Sequence, residues 1–237
     1  MAMVPRKSAD IGIATDGDAD RLGVVDEQGK FVTTLQIFAL LCLYQLEVLG
    51  NRGPLVRSVT MTSMVDRLGE LYRVPVFETP VGFKHLGPVM LKEDALIAGE
   101  ESGGYGFRGH IPERDGLLSG LMLLDMMVKT GKTISELLDM LNDKVGLYYY
   151  QRRDLTFDNR QYLEINNRVE GISPFTLGGR RVERVNVKDG FRFELMGGSW
   201  VMVRFSGTEP LLRIYAEAEA PEVVDMLLEE VRIMIGV

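Results

Sequence analysis

The chain contains very little cysteine and no excess of positive charge, and both absences restrict what it can be. Cys42 is the only cysteine among 237 residues, so no disulfide can form within the chain, and this usage fits the reducing cytoplasm. The 27 Lys and Arg residues are outnumbered by 34 Asp and Glu, which gives a net charge of −7 and argues against nonspecific binding to nucleic acid. The hydrophobic fraction of 46% and the charged fraction of 26% are typical of a globular protein. We therefore expect a cytoplasmic globular protein that has no nucleic-acid partner.

An apolar run long enough to cross a membrane is also missing. The one segment that suggests a span, Leu35–Leu49, contains Gln36, Gln45 and Glu47, and its apolar length falls short of the roughly 20 residues that a span requires. Gly50 follows the segment, as glycine commonly follows the end of a helix. The segment is predicted to be a buried helix, and no membrane partner is expected.

Three carboxylates at alternate positions mark the N-terminal part of the chain. Asp16, Asp18 and Asp20 are followed directly by Arg21, and we call Asp16–Arg21 the aspartate loop. Oxygen ligands at this spacing are the donor set that a small hard cation such as Mg²⁺ prefers. The arginine supplies a fixed positive charge suited to a phosphate. The alternative is a solvated acidic turn between two strands.

The same spacing also opens a calcium-binding EF-hand loop, and Glu27 falls at its twelfth position. The sixth position of an EF-hand loop requires glycine, whereas this chain has Arg21 there. The flanking segments Ile11–Ala14 and Leu22–Val25 are predicted to be strands, whereas an EF-hand is flanked by helices. The EF-hand interpretation therefore fails.

Two further loops each follow a short apolar run. Gly99–Gly104, the glutamate loop, reads Gly-Glu-Glu-Ser-Gly-Gly, and Arg204–Pro210, the arginine loop, reads Arg-Phe-Ser-Gly-Thr-Glu-Pro. In this order, together with the aspartate loop, they resemble the motifs of the α-D-phosphohexomutases, the phosphoglucomutase/phosphomannomutase family. The resemblance extends from about Ser8 to the C-terminus. It covers only the later part of the family's four-domain architecture.

The resemblance implies a reversible conversion of hexose 1-phosphate to hexose 6-phosphate. In such enzymes a phosphoserine passes its phosphoryl group to the substrate, and the hexose 1,6-bisphosphate that forms returns the other phosphoryl group to the serine. Asp16, Asp18 and Asp20 match the family's Mg²⁺ ligands, with the phosphoserine as a further ligand, and Arg21 matches a residue that steadies the reacting phosphate. Mg²⁺ in this position would neutralise charge on the transferring phosphoryl group.

The resemblance assigns sugar recognition to the glutamate loop. Glu100 and Ser102 match a pair that hydrogen-bonds ring hydroxyls, and Lys84 matches a lysine near the reacting oxygen, where a general acid–base role is expected. Some relatives have a histidine at Gly104, and its absence points away from phosphoglucosamine mutase. Some have a lysine at Arg114, and because arginine does not readily act as a base, the identity of the base stays open. The loop favours phosphoglucomutase over phosphomannomutase.

The arginine loop matches the family's clamp for the phosphate that is not reacting. Arg204, Ser206, Gly207 and Thr208 provide a guanidinium, two hydroxyls and backbone N–H groups around a glycine, which is a suitable set for binding an anion. Arg213 either assists this clamp or is a solvent-facing residue of a strand. The expected ligand is a hexose phosphate.

One family motif has no counterpart in the sequence. The Ser-His-Asn segment, whose serine carries the phosphoryl group, is missing, because His85 and His110 follow Lys84 and Gly109. The beginning, Met1–Lys7, is too short and polar for a signal peptide and resembles an arbitrary entry point. We therefore expect the chain to be inactive alone and to bind Mg²⁺ weakly without the phosphoserine. If the gene is split, we expect the chain to associate with the missing N-terminal domains. The alternative is a stand-alone, noncatalytic binder of sugar phosphate or metal.

Residue periodicity and the resemblance divide the chain into three parts. Residues 1–33 resemble the end of the second domain and contain the aspartate loop. Residues 34–147 alternate helices with strands, which predicts a three-layer α/β/α domain with a mostly parallel sheet that binds the sugar. Residues 148–237 alternate in strand fashion before a final helix, which predicts a small α+β domain with an antiparallel sheet that binds the phosphate. Thr79–His85 and the glutamate loop both leave the carboxyl ends of strands, so they are expected to face one crevice.

The predicted helices are Thr34–Leu49, Met64–Tyr72, Gly116–Thr130, Ser135–Val145 and a last helix beginning after Pro221. The predicted strands after residue 34 are Pro54–Thr60, Val74–Glu78, Ala95–Ala98, Arg180–Val187, Phe191–Met196, Trp200–Phe205 and Leu211–Glu217.

Overall fold

The computed structural model describes residues 1–206 and 210–236, and of Asn159 it describes the backbone alone. The chain divides into two compact units, Met1–Gly146 and Leu147–Val237. No helix among these described residues is long and apolar enough to cross a bilayer.

The helices of the first unit are α1 (Met3–Arg6), α2 (Thr34–Leu43), which continues as a π-helical turn over Tyr44–Val48, α3 (Met64–Tyr72), α4 (Phe83–Lys92), α5 (Gly116–Thr130) and α6 (Ile134–Val145). Its strands are β1 (Gly12–Thr15), β2 (Leu22–Val25), β3 (Phe31–Val32), β4 (Leu55–Ser58), β5 (Val76–Thr79), β6 (Ile97–Gly99) and β7 (Tyr105–Phe107). The second unit contains the strands β8 (Tyr149–Thr156), β9 (Thr176–Leu177), β10 (Arg180–Asn186), β11 (Phe191–Leu195), β12 (Trp200–Phe205) and β13 (Leu211–Ala218). Its helices are α7 (Tyr162–Gly171), which a 3₁₀ turn over Asn159–Gln161 precedes, and α8 (Pro221–Ile235).

The aspartate loop closes a hairpin at the start of the first unit. Strands β1, β2 and β3 form an antiparallel sheet in chain order, and Thr15 pairs with Leu22 across the base of the loop. A turn between β2 and β3 is formed by Asp26, whose Oδ1 accepts hydrogen bonds from the backbone N–H groups of Gln28 and Lys30 at 3.0 and 2.7 Å. The loop is therefore flanked by strands, as expected, and not by the helices of an EF-hand.

A second sheet lies at the centre of the first unit, with the strand order β5-β4-β6-β7. Strand β4 pairs in parallel with β5 and β6, and β7 pairs antiparallel with β6. Helix α4 covers one face, where Phe83, Leu86 and Met90 pack with Val56 and Ala98 of the strands. On β6, a Cβ at Gly99 would come within 2.3 Å of the Phe38 ring of α2, so α2 packs closely against that strand. The predicted three-layer α/β/α arrangement with a mostly parallel sheet is confirmed.

Helix α2 is buried because it is apolar on every side. Thr33 caps it: its side chain accepts the backbone N–H of Gln36, whose own side chain accepts the N–H of Thr33, and such a reciprocal capping box satisfies two otherwise unpaired donors. Its residue Cys42 is fully buried, and burial raises the pKa of that thiol, which keeps it protonated. The predicted helix forms, but its last turn is π-helical over Tyr44–Val48.

The second unit is a single antiparallel sheet with the strand order β8-β13-β12-β11-β10-β9. One set of alternate strand residues packs with α7 and α8 in a common core, to which Val203, Ile214, Ile165 and Leu227 belong. Because side chains alternate along a strand, Trp200, Met202 and Arg204 share the other face of β12. The predicted α+β fold is confirmed.

Candidate active site: three loops and the contacts that position them

The backbone of the aspartate loop is held by two neighbours, the glutamate loop and α5. The N–H of Leu22 donates to the carbonyl of Gly103 in the glutamate loop at 2.9 Å, and Arg21 and Gly104 form an isolated antiparallel bridge. The N–H of Gly116, the first residue of α5, donates to the carbonyl of Ala19 at 3.0 Å. Two of the three motifs recognised in the sequence are thus joined by backbone hydrogen bonds, although about 80 residues separate them in the chain.

The carboxylates of the aspartate loop differ in exposure. Asp16 and Asp18 are exposed, whereas Asp20 is half-buried. The Nε of Arg21 lies 3.6 Å from Oδ2 of Asp16 and 3.9 Å from Oδ1 of Asp20, so this arginine lies between two of the three predicted ligands. Among the residues that the structure describes, no three Asp, Glu, His or Cys side chains converge as metal ligands do.

The donor chemistry of the loop nevertheless suits Mg²⁺. Carboxylate oxygens are the ligands this cation prefers, and Oδ1 of Asp20 is buried without a hydrogen-bond partner. A buried carboxylate oxygen without a partner is unfavourable, and a bound cation would satisfy it. Asp16, Asp18 and Asp20 are therefore the residues that would hold the ion, after their side chains turn toward a common point.

The glutamate loop is a tight turn held by its neighbours. The N–H of Gly103 donates to the carbonyl of Glu100 at 3.1 Å, and the Thr34 hydroxyl at the start of α2 donates to the carbonyl of Glu101 at 2.6 Å. Gly103 has a φ of +93°, and a Cβ there would lie 3.0 Å from the carbonyl oxygen of Leu22. Glycine is therefore required both for the turn and for the close approach of the aspartate loop.

The two predicted sugar-binding residues lie in different environments. Glu100 is only 4% exposed, whereas Ser102 is exposed. Oε1 of Glu100 accepts the backbone N–H of Gly82 at 2.8 Å. This bond confirms that the loop after β5 and the glutamate loop after β6 meet at one edge of the sheet. Lys84 lies in the first turn of α4 and is exposed, so its general acid–base role stays a prediction.

Arg114 connects the aspartate loop to the glutamate loop through its side chain. Its Nη2 lies 2.8 Å from Oδ2 of Asp20, and its Nη1 lies 3.6 Å from Oε2 of Glu100. The space for this side chain depends on Gly104, because a Cβ there would lie 2.3 Å from Cδ of Arg114. Sequence reasoning treated these two residues as separate departures from the family pattern, and no sequence signal indicated that they are in contact.

Burial dominates the ionisation of Glu100. It raises the pKa of the carboxyl above its ordinary value of 4.5, although the nearby Arg114 and the Gly82 N–H act in the opposite direction. Between 4.5 and the raised pKa the folded state holds more protons than the unfolded state. The free energy of unfolding therefore falls as the pH rises through this window.

We expect Glu100→Gln, which cannot ionise, to gain stability relative to the parent chain as the pH rises from 4 through the raised pKa. The measurement is the free energy of unfolding in urea at a series of pH values. Glu101→Gln controls for the loss of one carboxylate from the same turn. If the difference between Glu100→Gln and the parent were constant with pH, or changed in the opposite direction, the stated pKa shift would be wrong.

The second unit places two arginines next to each other. Arg204 of β12 pairs with Arg213 of β13, and Arg213 pairs with Asp154 of β8 on its other side. The Nε of Arg204 lies 3.0 Å from Oδ2 of Asp189, and the Nε of Arg213 lies 3.7 Å from Oδ2 of Asp154. Each guanidinium thus has an aspartate beside it, although Asp154 also pairs with Arg152 at 2.9 Å. The two carboxylates limit repulsion between the like charges of Arg204 and Arg213.

The remaining residues of the arginine loop are only partly described. Ser206 follows β12, and its N–H donates to the carbonyl of Leu211 at 2.8 Å. Gly207 and Thr208, both predicted to bind phosphate, lie outside the described residues. Asp154 and Asp189 were not anticipated from the sequence. Gly190, which follows Asp189, has a φ of +105°, a conformation that favours glycine.

Comparison with known proteins places these features in a family. The model described as phosphoglucomutase/phosphomannomutase, alpha/beta/alpha domain III matches residues 34–144, and the model of the phosphoglucomutase/phosphomannomutase C-terminal domain matches residues 164–234. A Thermococcus kodakarensis phosphoglucomutase/phosphomannomutase is 31% identical over 229 residues, which are 97% of this chain and 48% of that protein. A phosphoglucosamine mutase of Halalkalibacterium halodurans is 32% identical over 235 residues, which are 97% of this chain and 47% of that protein.

A solved structure gives the same result. A Thermus thermophilus protein, whose structure is described as that of a phosphomannomutase, superposes with a TM-score of 0.83 at 36% identity. The match covers 100% of this chain and 48% of that one. The chain thus spans about half the length of the curated relatives it matches. On these matches the chain belongs to the α-D-phosphohexomutase (phosphoglucomutase/phosphomannomutase) family.

Proposed function

We propose that the aspartate, glutamate and arginine loops form the metal-binding, sugar-binding and phosphate-binding parts of a phosphohexomutase. Such an enzyme interconverts hexose 1-phosphate and hexose 6-phosphate. The observation that carries the proposal is the joining of the aspartate loop to the glutamate loop, by the Leu22–Gly103 hydrogen bond and by the bridge between Arg21 and Gly104. A solvated acidic turn, the alternative reading of the aspartate loop, would not need to be fixed against a second motif of the same family.

In the first unit, the chain's own groups are suited to holding charge and orienting a sugar. Glu100 is a buried acceptor for ring hydroxyls, and Ser102 offers a hydroxyl beside it. Asp16, Asp18 and Asp20 would hold Mg²⁺, which supplies neutralisation of charge on a transferring phosphoryl group. Arg21 carries a fixed positive charge next to the same carboxylates and is suited to steady a reacting phosphate.

In the second unit, Arg204 and Arg213 provide two guanidinium groups for the phosphate that does not react. A planar guanidinium binds a phosphate through two parallel hydrogen bonds. The Asp189 carboxylate at 3.0 Å from Arg204 orients the side chain, so less conformational freedom is lost when an anion binds. Ser206, Gly207 and Thr208 complete the proposed clamp.

We propose that the chain alone does not turn over substrate, because the sequence contains no Ser-His-Asn segment to carry a phosphoryl group. A hexose 1,6-bisphosphate would be the intermediate of the complete enzyme.

A partner that supplies the phosphoserine, such as the preceding half of a mutase, fits the exposed apolar residues of β1 and α5, namely Ile13, Leu117, Leu121 and Val128. Light scattering of the purified chain tests this proposal. A monomer would leave these exposed residues available to such a partner, whereas a dimer would indicate that a second copy of the chain covers them instead.

The substrate class is tested by titration calorimetry with glucose 6-phosphate, mannose 6-phosphate, glucosamine 6-phosphate and inorganic phosphate. We expect the three sugar phosphates to bind more tightly than inorganic phosphate, with glucose 6-phosphate the tightest. Tightest binding of glucosamine 6-phosphate would assign the chain to the activity named for the Halalkalibacterium relative. Equal binding of all four ligands would contradict sugar recognition by Glu100 and Ser102.

A further inference from the structure

We propose that Arg114 is a positioning residue that holds the aspartate loop and the glutamate loop in register and occupies the place of a cation at Asp20. This inference rests on the proposed metal site for its second part only. Its first part depends on contacts within the first unit alone.

The carboxylates of Asp20 and Glu100 both face the Arg114 guanidinium. The distances of 2.8 Å to Asp20 and 3.6 Å to Glu100 involve different nitrogens, Nη2 and Nη1. The side chains of Asp20 and Glu100 are only 21% and 6% exposed, so water screens these charges less than it screens charges on an open surface. A guanidinium can contact two carboxylates at once because its nitrogens lie in a rigid fork, whereas an ammonium is a single point charge.

The position of the Arg114 side chain is set by the backbone opposite it. An ideal Cβ at Gly104 would lie 2.3 Å from Cδ and 2.8 Å from Cγ of Arg114, so any side chain at position 104 would displace the arginine. Gly104 is also the residue that bridges to Arg21. The Arg114 side chain therefore lies directly against the point where the backbones of the aspartate loop and the glutamate loop meet.

The guanidinium also competes with a metal ion. It carries its charge 2.8 Å from Oδ2 of Asp20, one of the oxygens that a cation on the aspartate loop would use. A fixed positive charge at this distance disfavours a second cation. Cation binding through Oδ2 of Asp20 therefore requires Arg114 to move, and an arginine released from Asp20 remains beside Glu100 and is free to turn toward an incoming phosphate.

The test uses Arg114→Met, Arg114→Lys and Gly104→Ala. Mn²⁺ binding is measured by electron paramagnetic resonance of the free ion, and amide hydrogen exchange is followed in peptides that cover residues 16–21 and 99–104. We expect Arg114→Met to bind Mn²⁺ about tenfold more tightly, since a neighbouring unit charge is removed, and to exchange faster in both loops. Arg114→Lys should retain weak Mn²⁺ binding but lose part of the protection.

Gly104→Ala keeps the charge of Arg114 but displaces its side chain. We therefore expect amide exchange in both loops to be faster in this variant as well. Arg108→Met is the matched control, because Arg108 pairs with Asp94 at 3.1 Å and its loss removes the same charge elsewhere in the unit. We expect the control to change neither readout.

Two results would overturn the inference. If Arg114→Met and Gly104→Ala both leave the exchange of the two loops at the parent rate, Arg114 does not position them. If Arg114→Met binds Mn²⁺ no more tightly than the parent chain, Arg114 does not take the place of a cation. A parent chain and variants that all fail to bind Mn²⁺ would contradict the proposed metal site and the cation part of this inference, while the exchange data would still decide the positioning part.

Discussion

Replacing Arg204 with alanine is expected to weaken the binding of glucose 6-phosphate roughly tenfold to a hundredfold, because hydrogen bonds from a charged group contribute about 1.5–3 kcal/mol. Arg204 is half-buried and has Asp189 on one side and Arg213 on the other. Its removal leaves Asp189 without this guanidinium, so a negative charge remains where an anion should bind. Titration calorimetry at constant ionic strength measures the change.

Two variants separate the geometry of Arg204 from its charge. Arg204→Lys keeps the charge but loses the planar fork, and we expect intermediate affinity. Arg184→Ala removes an arginine whose side chain is 69% exposed and only loosely paired with Glu194, at 3.9 Å, and we expect its affinity to stay close to that of the parent. The emission of Trp200, the only tryptophan and a buried one, checks that the second unit remains folded. Equal losses in Arg184→Ala and Arg204→Ala would show that only net charge matters.

Gly116→Ala is expected to lower the stability of the first unit by about 1–3 kcal/mol, the usual cost of overpacking a well-packed site. A Cβ at this position would lie 2.5 Å from the carbonyl oxygen of Arg21 and 2.9 Å from that of Ala19. Both are backbone atoms, so neither can turn away as a side chain would. The aspartate loop has to move, and the hydrogen bond from the Gly116 N–H to Ala19 is strained or lost.

The measurement is urea unfolding followed by far-ultraviolet circular dichroism, together with hydrogen exchange of residues 16–21. Gly120→Ala is the matched control in the same helix, because a Cβ there makes ordinary contacts of 3.4 to 3.6 Å with Ile13 and Leu22. We expect the control to be neutral or stabilising, since alanine favours helix more than glycine does. A Gly116→Ala variant as stable as Gly120→Ala, with a protected aspartate loop, would contradict the docking of that loop on α5.

The sequence predicts elements well where a strong apolar pattern coincides with clear boundaries. Helix α5 is predicted over Gly116–Thr130 and strand β12 over Trp200–Phe205, and both match the structure to the residue. In α5, Asp115 caps the first turn through a hydrogen bond from the Leu118 N–H at 2.8 Å. In β12, a run of apolar residues ends at a charged loop, which is a reliable strand boundary.

Several elements were not predicted, and in three of them the sequence conceals the structure. Strand β8 (Tyr149–Thr156) contains a polar stretch and pairs on one side only, with β13, so it carries little of the alternation that marks a half-buried strand. Helix α7 (Tyr162–Gly171) buries only Ile165 and Val169, which is too few to reveal a helical period. Strand β7 (Tyr105–Phe107) lies among glycines, which are uncommon in strands.

The positions of the three loops could be predicted from the sequence, but the contacts between the aspartate loop and the glutamate loop could not. Motif spacing identified Asp20 and Glu100, and the family resemblance supplied their roles. Arg114 lies 94 residues after Asp20 and 14 after Glu100, and only the fold brings it to both carboxylates. Long-range side-chain contacts of this kind leave no periodic signal in a single sequence.

The measurement that tests the central proposal most directly is ³¹P nuclear magnetic resonance of the chain with Mg²⁺, glucose 1-phosphate and a trace of glucose 1,6-bisphosphate. We expect no glucose 6-phosphate to form, while the hexose phosphate resonances broaden on binding and sharpen again in Arg204→Ala. Formation of glucose 6-phosphate that is abolished in Asp18→Ala would show that the chain has its own phosphoryl carrier and would contradict the predicted inactivity. Sharp resonances with the parent chain would contradict the binding of sugar phosphate itself.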